Sequence, residues 1–173
     1  MKNERYSADD SKNGYAGNLP GPNTTVIETK GANFYLDSRI AENTRQFLAA
    51  AQAIAPEETL ISGYRSRAEQ EELYNEKVAG EVAKGLSNEE AVSIVLKQVQ
   101  LPGASEHQTG LAIDMSAPEG QEDELAAKIA ELAPQYGFVL RYPDGKSDIT
   151  GVDFENWHYR YVGVENAQYM QKH

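Results

Sequence analysis

Apolar positions along the chain recur with two different periods. Behind Asp37, a residue suited to capping a helix, Ile40, Thr44, Phe47, Leu48 and Ala51 follow the three-to-four spacing of a helix with one buried face. The same period returns at Leu73, Tyr74 and Val78, at Val92, Val95 and Val99, and between Glu124 and Leu132. Ser66-Arg67-Ala68-Glu69 and Ser87-Asn88-Glu89-Glu90 have capping-box spacing at the heads of the second and third helices, and Pro102-Gly103 stops the third. Shorter runs between these helices have strand character: Thr59 to Tyr64, Leu111-Ala112-Ile113, Phe138 to Tyr142, and Trp157 to Val162. In the last of them alternation predicts Trp157, Tyr159 and Tyr161 on one face and His158, Arg160 and Val162 on the other. Pro143-Asp144-Gly145 supplies a turn. With no internal repeat, this order predicts an α+β domain with a small central antiparallel sheet flanked by helices.

Residues 1 to 33 break the pattern. They are rich in Asn, Gly, Pro, Ser and Lys, include Leu19-Pro20-Gly21-Pro22-Asn23, and sustain no hydrophobic period. They read as a polar N-terminal linker, with room for one short strand at Thr24-Thr25-Val26-Ile27, ahead of a domain over residues 34–173.

Composition narrows the function. The 173 residues suit one domain with a real core, and no apolar run approaches the roughly 20 residues that cross a bilayer. A formal net charge of -11 repels phosphate backbones and anionic membrane surfaces, so neither nucleic acid nor membrane is expected as a partner of the domain, which we expect to be a monomer. With no cysteine, any metal must be held by His, Asp or Glu. Met1 to Tyr6 lack the apolar stretch of a signal peptide, so the protein works in the cytoplasm or is exported by a segment outside these residues.

Two of the three histidines lie among other polar, metal-competent groups, in Ser105-Glu106-His107-Gln108-Thr109-Gly110-Leu111-Ala112-Ile113-Asp114 and in Glu155-Asn156-Trp157-His158. Catalytic zinc takes three His or carboxylate ligands and leaves a position open for water, a set that His107, Asp114 and His158 would supply. A straight strand would hold His107 and Asp114 about 23 Å apart at roughly 3.3 Å per residue, so the chain must turn between them, and Gly110 can take a positive φ there. Glu155 and His158 would face opposite ways on an ideal strand, which predicts that the strand begins after Glu155. Peptide hydrolysis on zinc needs a non-ligand carboxylate for proton transfer, a role open to Glu155. Arg65, at a strand-to-helix junction, is suited to a substrate carboxylate or an oxyanion, with Gln70 and Ser105 adding neutral hydrogen bonds. Taken singly, each residue also has an ordinary reading. His107 could be a satisfied core group, Asp114 a loop cap, Glu155 a solvated charge, Arg65 a structural ion pair, and Trp157 with its tyrosines core and pocket wall.

Together the motifs resemble those of the VanY/LdcB-type family of zinc D,D- and L,D-carboxypeptidases. The likeness runs from about Tyr35 to the C-terminus through Gly63-Tyr64-Arg65-Ser66, the Ser-x-His-x-x-Gly-x-x-x-Asp pattern of Ser105 to Asp114, Tyr136 to Pro143, Glu155-x-Trp157-His158, and Tyr159 to Gly163. The resemblance implies the hedgehog/D-Ala-D-Ala-peptidase fold, zinc on His107, Asp114 and His158, Glu155 as catalytic acid/base, and Arg65, Gln70 and Ser105 engaging substrate. Within the family the pattern is nearest the LdcB type, which implies removal of D-alanine from peptidoglycan tetrapeptide stems at the L-Lys-D-Ala bond. The VanY and VanXY D,D-carboxypeptidases, acting on D-Ala-D-Ala ends, share the same catalytic motifs. A zinc-bearing binding module of the hedgehog kind is the reading of a different class. Members of the LdcB type are usually exported and membrane-tethered, which implies an extracytoplasmic place at the bacterial surface, with an anchor ahead of the polar linker.

Overall fold

The computed structural model describes residues 23–173, so the expected linker lies outside the described residues as far as residue 22. Its remainder is ordered structure. β1 (Thr24–Thr29) and β2 (Ala32–Asp37) pair as an antiparallel hairpin whose two turn residues, Lys30 and Gly31, both have positive φ, 45° and 79°. Ile27 and Leu36 are buried in the main core, so β1, which contains the short strand expected at Thr24 to Ile27, packs into the folded part ahead of residue 34. One buried apolar side chain per strand is too weak a pattern to show as a hydrophobic period.

The main sheet has the order β3 (Thr59–Ser62), β4 (Ala112–Ser116), β6 (Glu155–Tyr161), β5 (Phe138–Tyr142), with every neighbour antiparallel. α1 (Ala41–Ile54) and α4 (Asp123–Leu132) pack together over one face. Phe47 of α1 is fully buried there, stacked 5.4 Å from the ring of Phe138 and edge-on 5.0 Å from that of Tyr159. β4 is buried along its whole length, and alternation sends Ile113 and Met115 into this core and Asp114 to the other face.

α2 (Arg67–Ala83) and α3 (Asn88–Val95) form a helical arm, and both predicted capping boxes are present, with Ser66 and Ser87 each bonded reciprocally to the Glu three residues on. α3 ends at Val95, short of the expected Val99, and the chain continues in turns that bring Gln98, Val99 and Gln100 to the cavity described below. After β4 and α4 come β5, the short α5 (Ser147–Thr150), β6 and a C-terminal α6 (Val164–Lys172).

β6 departs from expectation in two ways. It begins at Glu155, not after it, because Glu155 pairs with Tyr142. Between that pair and Leu140↔Tyr159, β6 advances four residues while β5 advances two, an irregularity that breaks strict alternation. Glu155 and His158 therefore share a face although they are three apart, and Trp157 joins them on the cavity wall instead of following Tyr159 into the core.

Candidate metal centre and active site

The register of β4 against β6 sets Asp114 directly opposite His158. His107 arrives from a 3-10 turn, Glu106–Thr109, closed by Gly110 at φ 68°, the positive value expected there. The main chain anchors this turn twice, with Asp37 N–H donating to Gly110 O at 3.0 Å and Arg65 N–H to His107 O at 3.2 Å. His107 Nδ1 lies 2.7 Å from Gly63 O, which fixes Nδ1 as the donor and turns Nε2 toward Asp114. That approach needs glycine, since a Cβ at Gly63 would sit 2.5 Å from Tyr35 O.

His107 Nε2 is 3.3 Å from Asp114 Oδ2, and His158 Nδ1 is 3.0 Å from Asp114 Oδ1. One donor atom from each residue falls within 4.8 Å of the others, and all three residues are buried. Asp114 Oδ1 has no hydrogen bond of acceptable geometry despite its burial, His158 notwithstanding. A buried carboxylate with one oxygen left in that state, and with an imidazole nitrogen facing each of its oxygens, fits a divalent cation. Burial alone would raise Asp114, but the two imidazoles outweigh it and hold the carboxyl well below its usual range. Burial would lower His158, yet Asp114 and Glu106 raise it to about 9.

Arg65, Gln70, Ser105, His107, Asp114, Glu155 and His158, all the residues nominated from sequence, line one cavity of about 320 Å³. Glu155 Oε2 stands 3.8 Å from His158 Nδ1, and burial raises its carboxyl to about 7 against the opposing charges of His158 and Arg65. Arg65 donates from Nη1 to Gln70 Oε1 at 2.8 Å and from Nη2 to Ser62 Oγ at 3.0 Å. Gln70, 1% exposed, donates onward to Gln100 O at 2.6 Å, so both ends of its amide are engaged within the protein. Tyr142, Val152, Phe154 and Trp157 complete an aromatic and apolar wall.

Glu106 was not nominated from sequence. Its Oε2 lies 3.3 Å from His158 Nε2 and its Oε1 accepts from Arg141 Nε at 2.9 Å. Burial would raise this carboxyl, but His158 and Arg141 hold it at about 2. The one signal available in sequence was its place beside His107, since the contact with His158 spans 52 positions.

The VanY family model, described as D-alanyl-D-alanine carboxypeptidase, matches residues 33–164. The chain belongs to the VanY family. A D-alanyl-D-alanine carboxypeptidase of Enterococcus faecalis (strain ATCC 700802 / V583) is 40% identical over 151 residues, which are 86% of this chain and 56% of that protein. The chain thus spans little more than half the length of that relative. The solved VanY D,D-pentapeptidase of a VanB-type resistance cassette, a mutant in complex with Zn(II), has a TM-score of 0.75 at 35% identity, covering 87% of this chain and 85% of the other. The LdcB LD-carboxypeptidase has a TM-score of 0.68 at 30% identity, covering 90% and 75%. The mixed helix and antiparallel-sheet fold expected from the motifs is therefore that of the VanY family. Zinc, seen in a VanY relative, is the metal whose donor preferences the His107, Asp114 and His158 cluster meets.

Proposed function

We propose that this VanY-family protein is a zinc carboxypeptidase that removes a terminal D-alanine from peptidoglycan stem peptides at the bacterial surface. The observation that carries the reading is the cavity in which two imidazoles and a carboxylate converge beside a second, non-ligand carboxylate. His107 through Nε2, His158 through Nδ1 and Asp114 through its carboxylate would hold the ion, leaving a position open as catalytic zinc requires. When bound, zinc polarises the scissile carbonyl and makes water a better nucleophile near neutral pH.

The protein's own groups supply the rest. Glu155, poised at about 7 by burial, takes the proton of the attacking water and passes it to the leaving amine of D-alanine. Arg65 presents its guanidinium to the substrate's terminal carboxylate, with Ser62 and Gln70 fixing the fork. Gln70 orients Arg65 through Oε1 and, with the second proton of its amide NH2 uncommitted, joins Ser105 in offering the substrate a neutral hydrogen bond. A binding module would have little use for a non-ligand carboxylate set beside the metal position.

Two bonds are candidates. The motifs favour L-Lys-D-Ala at the end of a tetrapeptide stem, as in LdcB, whereas the higher identity to D-alanyl-D-alanine carboxypeptidases favours the D-Ala-D-Ala end of a pentapeptide. Mass-resolved cleavage of both stems by the zinc-loaded protein, beside chelated and Glu155→Ala samples, separates them. Loss of one alanine, abolished by chelation and reduced about 10²- to 10⁴-fold in Glu155→Ala, is expected, and the stem that loses it names the bond. No loss from either stem would replace the enzyme by the zinc-bearing binding module.

A further inference from the structure

We propose that Glu106 and Arg141 form a positioning relay for the metal centre, in which Arg141 on the edge strand β5 holds Glu106 and Glu106 holds the imidazole of His158. The inference rests on the metal ligands assigned above and adds the group that aims one of them.

His158 has two ring nitrogens and meets a carboxylate at each. Nδ1 faces Asp114 Oδ1 at 3.0 Å on the side toward His107, and Nε2 faces Glu106 Oε2 at 3.3 Å. A carboxylate accepts only, and of the two carboxylates Glu106 alone makes a hydrogen bond with the ring while Asp114 Oδ1 makes none, so Glu106 favours the ring proton on Nε2 and the Nδ1 lone pair is the one open to a cation. Glu106 would otherwise be free to turn about its own side-chain torsions. Arg141 prevents this by donating from Nε to Glu106 Oε1 at 2.9 Å. The same guanidinium lies 5.0 Å from the centre of the Tyr142 ring, and that ring is 5.0 Å from the imidazole of His158. One arginine therefore supports His158 at its Nε2 edge through Glu106 and a second time through the neighbouring ring of Tyr142. His107 receives the matching support from a backbone carbonyl, Gly63 O, which cannot be mutated away, whereas the support of His158 is carried by side chains.

Groups that orient a ligating histidine usually change metal affinity about 10- to 100-fold when removed. The test is Zn(II) affinity of the full chain, read by competition with a chelating dye and without any substrate, for wild type, Glu106→Ala, Glu106→Gln, Arg141→Ala, the Glu106→Ala/Arg141→Ala double variant and His158→Ala. Circular dichroism of the metal-free proteins verifies folding, and the visible spectrum of the Co(II) forms reports ligand geometry. Glu106→Ala should weaken Zn(II) about 10- to 100-fold and shift the Co(II) bands. Glu106→Gln, which keeps an acceptor, should lose less, and the double variant should bind no worse than Glu106→Ala alone. A folded Glu106→Ala with affinity within about twofold of wild type would overturn the proposal, as would independent losses that multiply in the double variant. Should Glu106→Ala not fold, unchanged affinity and Co(II) spectrum in both Arg141→Ala and Glu106→Gln would overturn it equally. Wild-type affinity in His158→Ala would instead sink the metal assignment on which the relay rests.

Discussion

The strand pair β4 and β6 and the helical arm of α2 and α3 both contribute to one cavity, and they are held by opposite means. All five residues of β4 are buried, and the Asp114↔His158 pairing is set by a backbone ladder lying over the Phe47 core. In the 17-residue α2 the one buried side chain is Gln70, and α3 buries Ala91 and Val95. The arm depends on local devices, two capping boxes and the bond from Gln70 to Gln100, whereas the strand pair depends on the whole core. Metal donors need placement to a fraction of an ångström, which strands within a packed sheet provide. Residues that meet a flexible peptide can sit at the root of a less buried element.

If that contrast is sound, damage beneath the strands should cost far more than damage to the arm. Phe47→Ala, which removes a fully buried ring from beneath Phe138 and Tyr159, should destabilise the protein by about 3–5 kcal/mol in urea unfolding. Gly63→Ala comes next. Its Cβ would press on Tyr35 O at 2.5 Å, so about 1–3 kcal/mol of stability should be lost, and Zn(II) affinity should fall with it because Gly63 O orients His107.

Glu58 sharpens the comparison from the other direction, since it is a core position where substitution should help. It is 0% exposed, and burial pushes its carboxyl up to about 7 although its hydrogen bond with Gln121 opposes this. The unfolded group ionises near its ordinary 4.5, so the folded state holds the proton more tightly and the associated stability, complete below pH 4.5, is lost as the pH rises through about 7. Glu58→Gln should remove that loss, gaining about 1–3 kcal/mol over wild type at pH 8 and less at each lower pH, as measured by unfolding across the range. The smallest effect belongs to the arm: Ser66→Ala, which breaks a capping box, should cost about 1 kcal/mol and leave Zn(II) affinity unchanged. A Ser66→Ala penalty equal to that of Phe47→Ala would erase the distinction between the two regions.

Local chemistry was readable without coordinates. The capping boxes at Ser66 and Ser87, the positive φ of Gly110 and the strand Phe138–Tyr142 all follow from residue type and near-neighbour spacing, and the structure has each of them. A short strand at Thr24 to Ile27 was legible and is part of β1, but its pairing with β2 was not, because the burial of the hairpin is supplied by a core built from residues far along the chain. The irregular register of β6 was also hidden, since it exists only relative to β5, and with it went the true positions of Glu155 and Trp157. Among the described residues no helix is long and apolar enough to cross a membrane.

The sequence by itself determined the donor types, the exclusion of thiolate chemistry, the helix starts and the family, because these depend on what residues are and on short separations along the chain. Only the tertiary structure decided which atoms of His107 and His158 face Asp114, that Gln70 is occupied by Arg65 and Gln100, and that Glu106 stands behind His158. Those facts depend on strand register and on contacts between residues as many as 52 positions apart, which chain connectivity leaves open until the core and the backbone ladder close.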